Sequence, residues 1–160
     1  MPEYFDVVDE YDRVTGKTTR DEAHKKGEWH RVVYVFVFNS RGEVFIQHRS
    51  DNKDPDPGLW TSSASGHVSS GQSYNEAAIR ETEEELGVKV EVKPLFYMKH
   101  ESLKHHIWVF EAHHDGPFRL QAKEVQGGKF VSLEELKNLL REKGSMFAPE
   151  FHKVFASFTG

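Results

Sequence analysis

The sequence predicts an α/β sandwich, a mixed central sheet covered by helices on both faces. Short apolar runs of strand character recur along the whole chain, two segments carry Ser-x-x-Glu signals that open helices, and a proline-led aromatic segment closes it. Strands interspersed with a few helices can bury their apolar faces only in such layers. At 160 residues, 37% of them hydrophobic, the chain has the size and core content of one domain spanning positions 1–160.

The elements follow in order. "YFDVVDE" reads as an opening strand and "DRVTG" as a turn, followed by a polar segment. "RVVYVFVFN", Arg31 to Asn39, is almost wholly β-branched and aromatic and predicts a central strand buried on both faces. "NSRG" turns it into "EVFIQHRS", Glu43 to Ser50, as a hairpin. "DNKDPDPGLW" holds Pro55, Pro57 and Gly58 and predicts a loop, leading into a short strand that ends at "SGHV". Ser73 and Glu76 form a capping box that starts a helix, and Gly87 caps its end. "VKVEVKPLFYMK", "HHIWVFEAHH" and "GGKFVS" read as strands. A second capping box, Ser132 with Glu135, opens "LEELKNLLREKG". Pro149 begins a terminal helix with Phe151, Val154, Phe155 and Phe158 on one face, which either closes the core of a monomer or packs on a second subunit.

Composition narrows the function. A net charge of −5, with 21 Lys and Arg scattered along the chain, argues against a nucleic-acid surface and for a small soluble ligand. No apolar run reaches the ~20 residues of a bilayer span, and no basic-then-apolar leader pattern is present, so a cytoplasmic protein is expected. The absence of cysteine removes disulfides, thiolate metal sites and thiol nucleophiles.

The helix "RETEEELG" concentrates glutamate at positions 81, 83, 84 and 85. At 100° per residue from Glu81, Glu85 lies at about +40° and Glu84 at about −60°, so the three share a face while Glu83 points away. Ala78, Ile79, Thr82 and Leu86 form the expected core stripe beside that face, and Arg80 stands four residues from both Glu76 and Glu84. With no other cation nearby in sequence, three convergent carboxylates call for Mg²⁺ or Mn²⁺.

"GHVSSGQSYNEAAIRETEEELGV", Gly66 to Val88, resembles the 23-residue signature of the Nudix hydrolases, with Gly66, Arg80, Glu81, Glu84, Glu85, Gly87 and Val88 on their positions. Gln72 stands where a glutamate is expected, and Thr82 replaces an aliphatic residue. The resemblance implies a Nudix-type α/β/α sandwich and a Mg²⁺-dependent site in which Glu81, Glu84, Glu85 and the carbonyl of Ser65 hold the metal. It also implies hydrolysis of a diphosphate by an activated water, with Arg80 positioning the acidic strip. The base comes either from the helix or from a later loop glutamate, for which Glu124 in "QAKEVQGGKFVS" is suitably placed.

A longer stretch, "HRVVYVFVFNSRGEVFIQHRSDNKDPDPGLWTSSASGH", resembles the type I isopentenyl-diphosphate isomerases, which share that fold. It retains Arg49, Lys53, Pro57, Gly58, Trp60 and His67. The resemblance implies diphosphate contacts from Arg49 and Lys53, with Trp60 and Gly66 completing the substrate-binding set, and a possible second metal on His24, His30 and His67. The isomerases place a cysteine and a strand glutamate on opposite faces of their alkene. Here Ser65 occupies the cysteine position, and His105 or Leu103 the glutamate position. A hydroxyl is a poor substitute for a thiol acid. The expectation is therefore hydrolysis of a nucleoside diphosphate derivative. The rival readings are an isomerase with substituted residues and a diphosphate-binding domain without turnover.

Overall fold

A computed structural model describes residues 3–53 and 55–159, except for the side chains of His24 and Thr159. The elements are β1 (Tyr4–Val8), β2 (Val14–Thr19), α1 (Arg20–Lys26), β3 (His30–Phe38), β4 (Val44–Arg49), β5 (Trp60–Thr61), β6 (Ala64–His67), α2 (Tyr74–Leu86), β7 (Lys93–His100), β8 (His105–His113), β9 (Val125–Val131), α3 (Leu133–Glu142) and α4 (Pro149–Thr159).

The central strand β3 explains the mixed sheet. It runs parallel to β8 over its full length, His30 opposite His105 through Phe38 opposite His113, and antiparallel to β6 from Val32 to Val35. Its alternating side chains feed two cores. Val32, Tyr34, Phe36 and Phe38 pack with Leu136, Phe151, Val154 and Phe155 of α3 and α4. Val33, Val35 and Val37 pack with Ala77, Ala78 and Leu86 of α2. A strand with helices on both sides has no solvent face, which is why its sequence shows no apolar–polar alternation. The aromatic face of α4 closes the first core.

The expected β3–β4 hairpin opens immediately after its turn, because among the described residues β3 and β4 pair only at Phe38 and Val44. The segment from Trp60 to His67 enters the gap, β5 pairing with β4 and β6 with β3. Ser63 bridges the split: its hydroxyl accepts from Val37 N–H at 2.8 Å and donates to the Phe45 carbonyl at 2.5 Å. Backbone groups that a closed hairpin would pair are thereby satisfied in a fully buried position.

β2 and α1 replace the expected turn and polar segment. β2 is threonine- and glycine-rich and largely exposed, and is held in place by antiparallel pairing with β1. α1 buries Ala23, its one apolar residue, between a Thr19 cap and Gly27 in the left-handed region. The Ser73–Glu76 capping box forms in both directions, at 3.1 and 3.0 Å. At α3, Ser132 accepts from Glu135 N–H at 3.0 Å, and the reciprocal bond is absent among the described residues.

Candidate active site

α2 presents its carboxylates differently from the helical projection. Its buried residues are Ala77, Ala78, Glu81, Thr82, Glu85 and Leu86, so Glu81 and Glu85 lie inside the core-facing sector, one turn apart. Ile79, expected in the stripe, is exposed, and Ala77 takes its place. Thr82 fits because its hydroxyl donates to the Ala78 carbonyl at 2.8 Å. Glu84 is exposed at the rim, and Glu83 faces solvent.

Contacts from the sheet fix the acidic pair. Gln47 of β4 donates to Glu85 Oε1 at 2.6 Å, while Glu85 Oε2 is buried without a hydrogen-bond partner. The Glu81 carboxyl lies so close to Gly66 that a Cβ there would overlap it. Burial pushes the Glu81 carboxyl up to about 7, with the Arg80 charge opposing the rise. Burial, reinforced by the neighbouring Glu81, raises the Glu85 carboxyl well above the ordinary carboxylate range. Burial also raises Glu84, against the Arg80 charge and with that of Glu124. Glu124, in the turn before β9, brings a carboxylate oxygen to within 4.8 Å of those of Glu81 and Glu85. An orphaned buried oxygen, a carboxylate lodged where only glycine leaves room, and three convergent hard donors together fit a divalent cation.

Arg80 ties α2 to the preceding loop instead of to Glu76 and Glu84. It donates to His67 O at 2.9 Å, Ser69 Oγ at 2.8 Å, Glu81 Oε1 at 2.9 Å and Glu3 Oε1 at 3.3 Å. Glu76 is engaged in the capping box, and Gln72 accepts from Ser69 N–H at 3.4 Å. The carboxylate that meets Arg80 from outside the signature is Glu3.

A cavity of about 810 Å³ joins these groups to the rest of the predicted set. Glu81, Glu84 and Glu124 lie on its wall with Ser65 and Gly66, and Arg49 and Lys53 reach it from the loop. Arg49 donates to the carbonyls of Pro55 at 2.6 Å and Asp56 at 3.2 Å, and Lys53 Nζ stands 3.6 Å from Glu124 Oε2. Trp60 does not line the cavity; it stacks on His48 at 4.7 Å, with Lys129 over its ring.

Deeper in, ring nitrogens of His30, His67 and His105 lie within 4.8 Å of one another. The side chain of His24, the third member of the expected histidine set, lies outside the described residues. His30 Nδ1 is 2.9 Å from the Glu28 carbonyl, and His105 Nδ1 is 2.6 Å from Glu150 Oε2. Glu150 also meets His100 Nδ1 at 2.6 Å and accepts from the Tyr34 hydroxyl at 2.7 Å. Burial alone would raise the Glu150 carboxyl, but the hydrogen bonds and charge of His105, with His100 and Tyr34, hold it at about 2. Sequence reading assigned no role to His105, Glu150, Gln47 or Glu3. His105 was visible only as one of two candidates, with Leu103, for a catalytic strand position, and Glu150 looks like an ordinary first-turn helix acid.

The model of the NUDIX domain family matches residues 28–154. This chain belongs to the Nudix hydrolase family. The Nudix fold extends over nearly all of it: the crystal structure of DR0079 from Deinococcus radiodurans superposes with a TM-score of 0.80 at 31% identity, covering 91% of this chain and 92% of the other. Nudix hydrolase 3 of Arabidopsis thaliana is 33% identical over 96% of this chain, which spans only 23% of that protein. The isopentenyl-diphosphate Delta-isomerase of Pectobacterium atrosepticum is 30% identical over 94% of this chain and 88% of its own length. Among the described residues of this Nudix chain, no helix is long and apolar enough to cross a membrane.

Proposed function

We propose that this chain is a Mg²⁺- or Mn²⁺-dependent hydrolase that cleaves the diphosphate linkage of a nucleoside diphosphate derivative. One observation carries the reading: a buried Glu85 oxygen with no hydrogen-bond partner lies beside Glu81 and Glu124, which line a cavity that also displays Arg49 and Lys53. Glu81, Glu85 and Glu124, with Glu84 at the rim and the Ser65 carbonyl, would hold the cation, which when bound would neutralise the diphosphate and acidify the attacking water. A glutamate of the same wall, on the helix or Glu124, would accept that water's proton. Arg80 holds Glu81 against the signature loop, while Arg49 and Lys53 orient the phosphates.

Similarity to an isopentenyl-diphosphate isomerase makes alkene isomerisation the rival. The two positions that chemistry needs hold Ser65 and either His105 or Leu103, and His105 is engaged with Glu150. The His30–His67–His105 group instead suits a second, softer cation, with Glu28 and Glu150 orienting two of its rings. A panel of nucleoside diphosphates, sugar nucleotides and dinucleoside polyphosphates tests the assignment. Mg²⁺-dependent release of a nucleotide product is expected. Ligand binding with no product at any Mg²⁺ concentration would make this a binding domain, and deuterium uptake by isopentenyl diphosphate in heavy water would make it an isomerase.

A further inference from the structure

One ion pair joins the two functional walls of the cavity. Lys53 Nζ stands 3.6 Å from Glu124 Oε2, and Glu124 reaches within 4.8 Å of Glu81 and Glu85. The backbones on both sides are anchored. Ser50 N–H donates to the Glu124 carbonyl at 3.0 Å, Arg49 holds the carbonyls of Pro55 and Asp56, and the Gln126 amide reaches Arg49 O at 2.7 Å and Asp51 Oδ1 at 3.1 Å. What remains free to move is the four-carbon side chain of Lys53.

We infer that Lys53 is a partner-switching residue: it occupies Glu124 while the cavity is empty and transfers to a phosphate when cation and diphosphate arrive, making the two ligands bind cooperatively. The inference rests on the reading of Glu124 as a cation donor. A dication at Glu124 competes with the ammonium for the same oxygens and repels it, so Lys53 weakens cation binding to the empty cavity. A diphosphate gives the displaced ammonium a new partner, and the penalty becomes an attraction. A group that opposes the first ligand alone and favours the pair is a positive coupling, felt equally by both ligands. The Lys53 and Glu124 side chains are 28% and 29% exposed, so the pair is partly screened, and its loss should change cation affinity by roughly two- to fivefold.

Calorimetry on the metal-free full chain tests this with Mn²⁺ alone and with methylenediphosphonate, a diphosphate whose bridging oxygen is replaced by CH₂. Lys53→Met should bind Mn²⁺ two- to fivefold more tightly than the parent, by the same estimate for an exposed pair, yet bind methylenediphosphonate more weakly at saturating Mn²⁺. In a Glu124→Gln background the tightening should shrink. Unchanged or weaker Mn²⁺ binding in a folded Lys53→Met protein overturns the switch, as does an equal tightening with and without Glu124. Parent-level Mn²⁺ affinity in Glu124→Gln alone would instead remove the cation-site reading beneath it.

Discussion

The buried carboxylates of α2 make a prediction about the cation-free protein. Glu81 has a pKa raised from the ordinary 4.5 to about 7, chiefly by burial. A raised carboxyl stabilises the fold while protonated, so its contribution is complete below pH 4.5 and disappears as pH rises through 7. At roughly 1.4 kcal/mol per pH unit, the difference is worth about 3 kcal/mol for Glu81, and Glu85, raised in the same direction, adds to it. In a chain of this length, 3 kcal/mol corresponds to a fall in Tm of about 6–12 °C between pH 5 and pH 8. Thermal unfolding in chelator across that range measures it directly. Histidines titrate in the same window, so the comparison is with Glu81→Gln/Glu85→Gln, which should lose most of the slope. Adding Mn²⁺ should restore the parent at pH 8 more than at pH 5, since ionised carboxylates are the donors. A pH profile identical in parent and double variant would refute the reasoning.

Glu84→Gln should lower turnover by about 100-fold or more, the scale expected when a cation donor is lost, while Tm stays level or rises because the exposed side chain leaves an acidic cluster; steady-state kinetics and calorimetry check both. Glu150→Gln should cost about 2–3 kcal/mol at neutral pH, because a carboxyl lowered from 4.5 to about 2 stabilises the fold above pH 4.5 and loses that contribution as pH falls through 2. Urea unfolding at pH 7 and pH 2.5 should show the gap between parent and variant narrowing in acid. Gly66→Ala places a methyl on the Glu81 carboxyl and should weaken Mn²⁺ binding about tenfold, a cost of the order expected for overpacking; unaltered affinity by titration would show that the carboxyl has room to yield.

Local signals were readable wherever their cause is local. The uninterrupted apolar run of β3 announces burial on both faces, the Ser73 box and Gly87 delimit α2 to the residue, and the spacing of Gly66, Arg80, Glu81, Glu84 and Glu85 marks a Nudix signature helix. β2 and α1 escaped because partner strands and caps hold them without an apolar pattern of their own. The hairpin expectation failed at β4 because turn chemistry sets only the first pair, and the wedge of residues 60–67 comes from farther along the chain.

The amino-acid sequence by itself determined the α/β layering and the helix that bears the acids, since each follows from periodicity or spacing within a few turns of chain, while the fold family entered through resemblance to the Nudix signature. Only the tertiary structure decided that Glu81 and Glu85 are buried while Glu84 is not, that Glu124 joins them, that Glu3 meets Arg80, and that His105 and Glu150 complete a histidine pole. Those assignments depend on contacts between residues as many as 116 positions apart, such as Tyr34 with Glu150. Desolvation and charge pairing at that range depend on how the layers pack, and no local pattern in the chain encodes them.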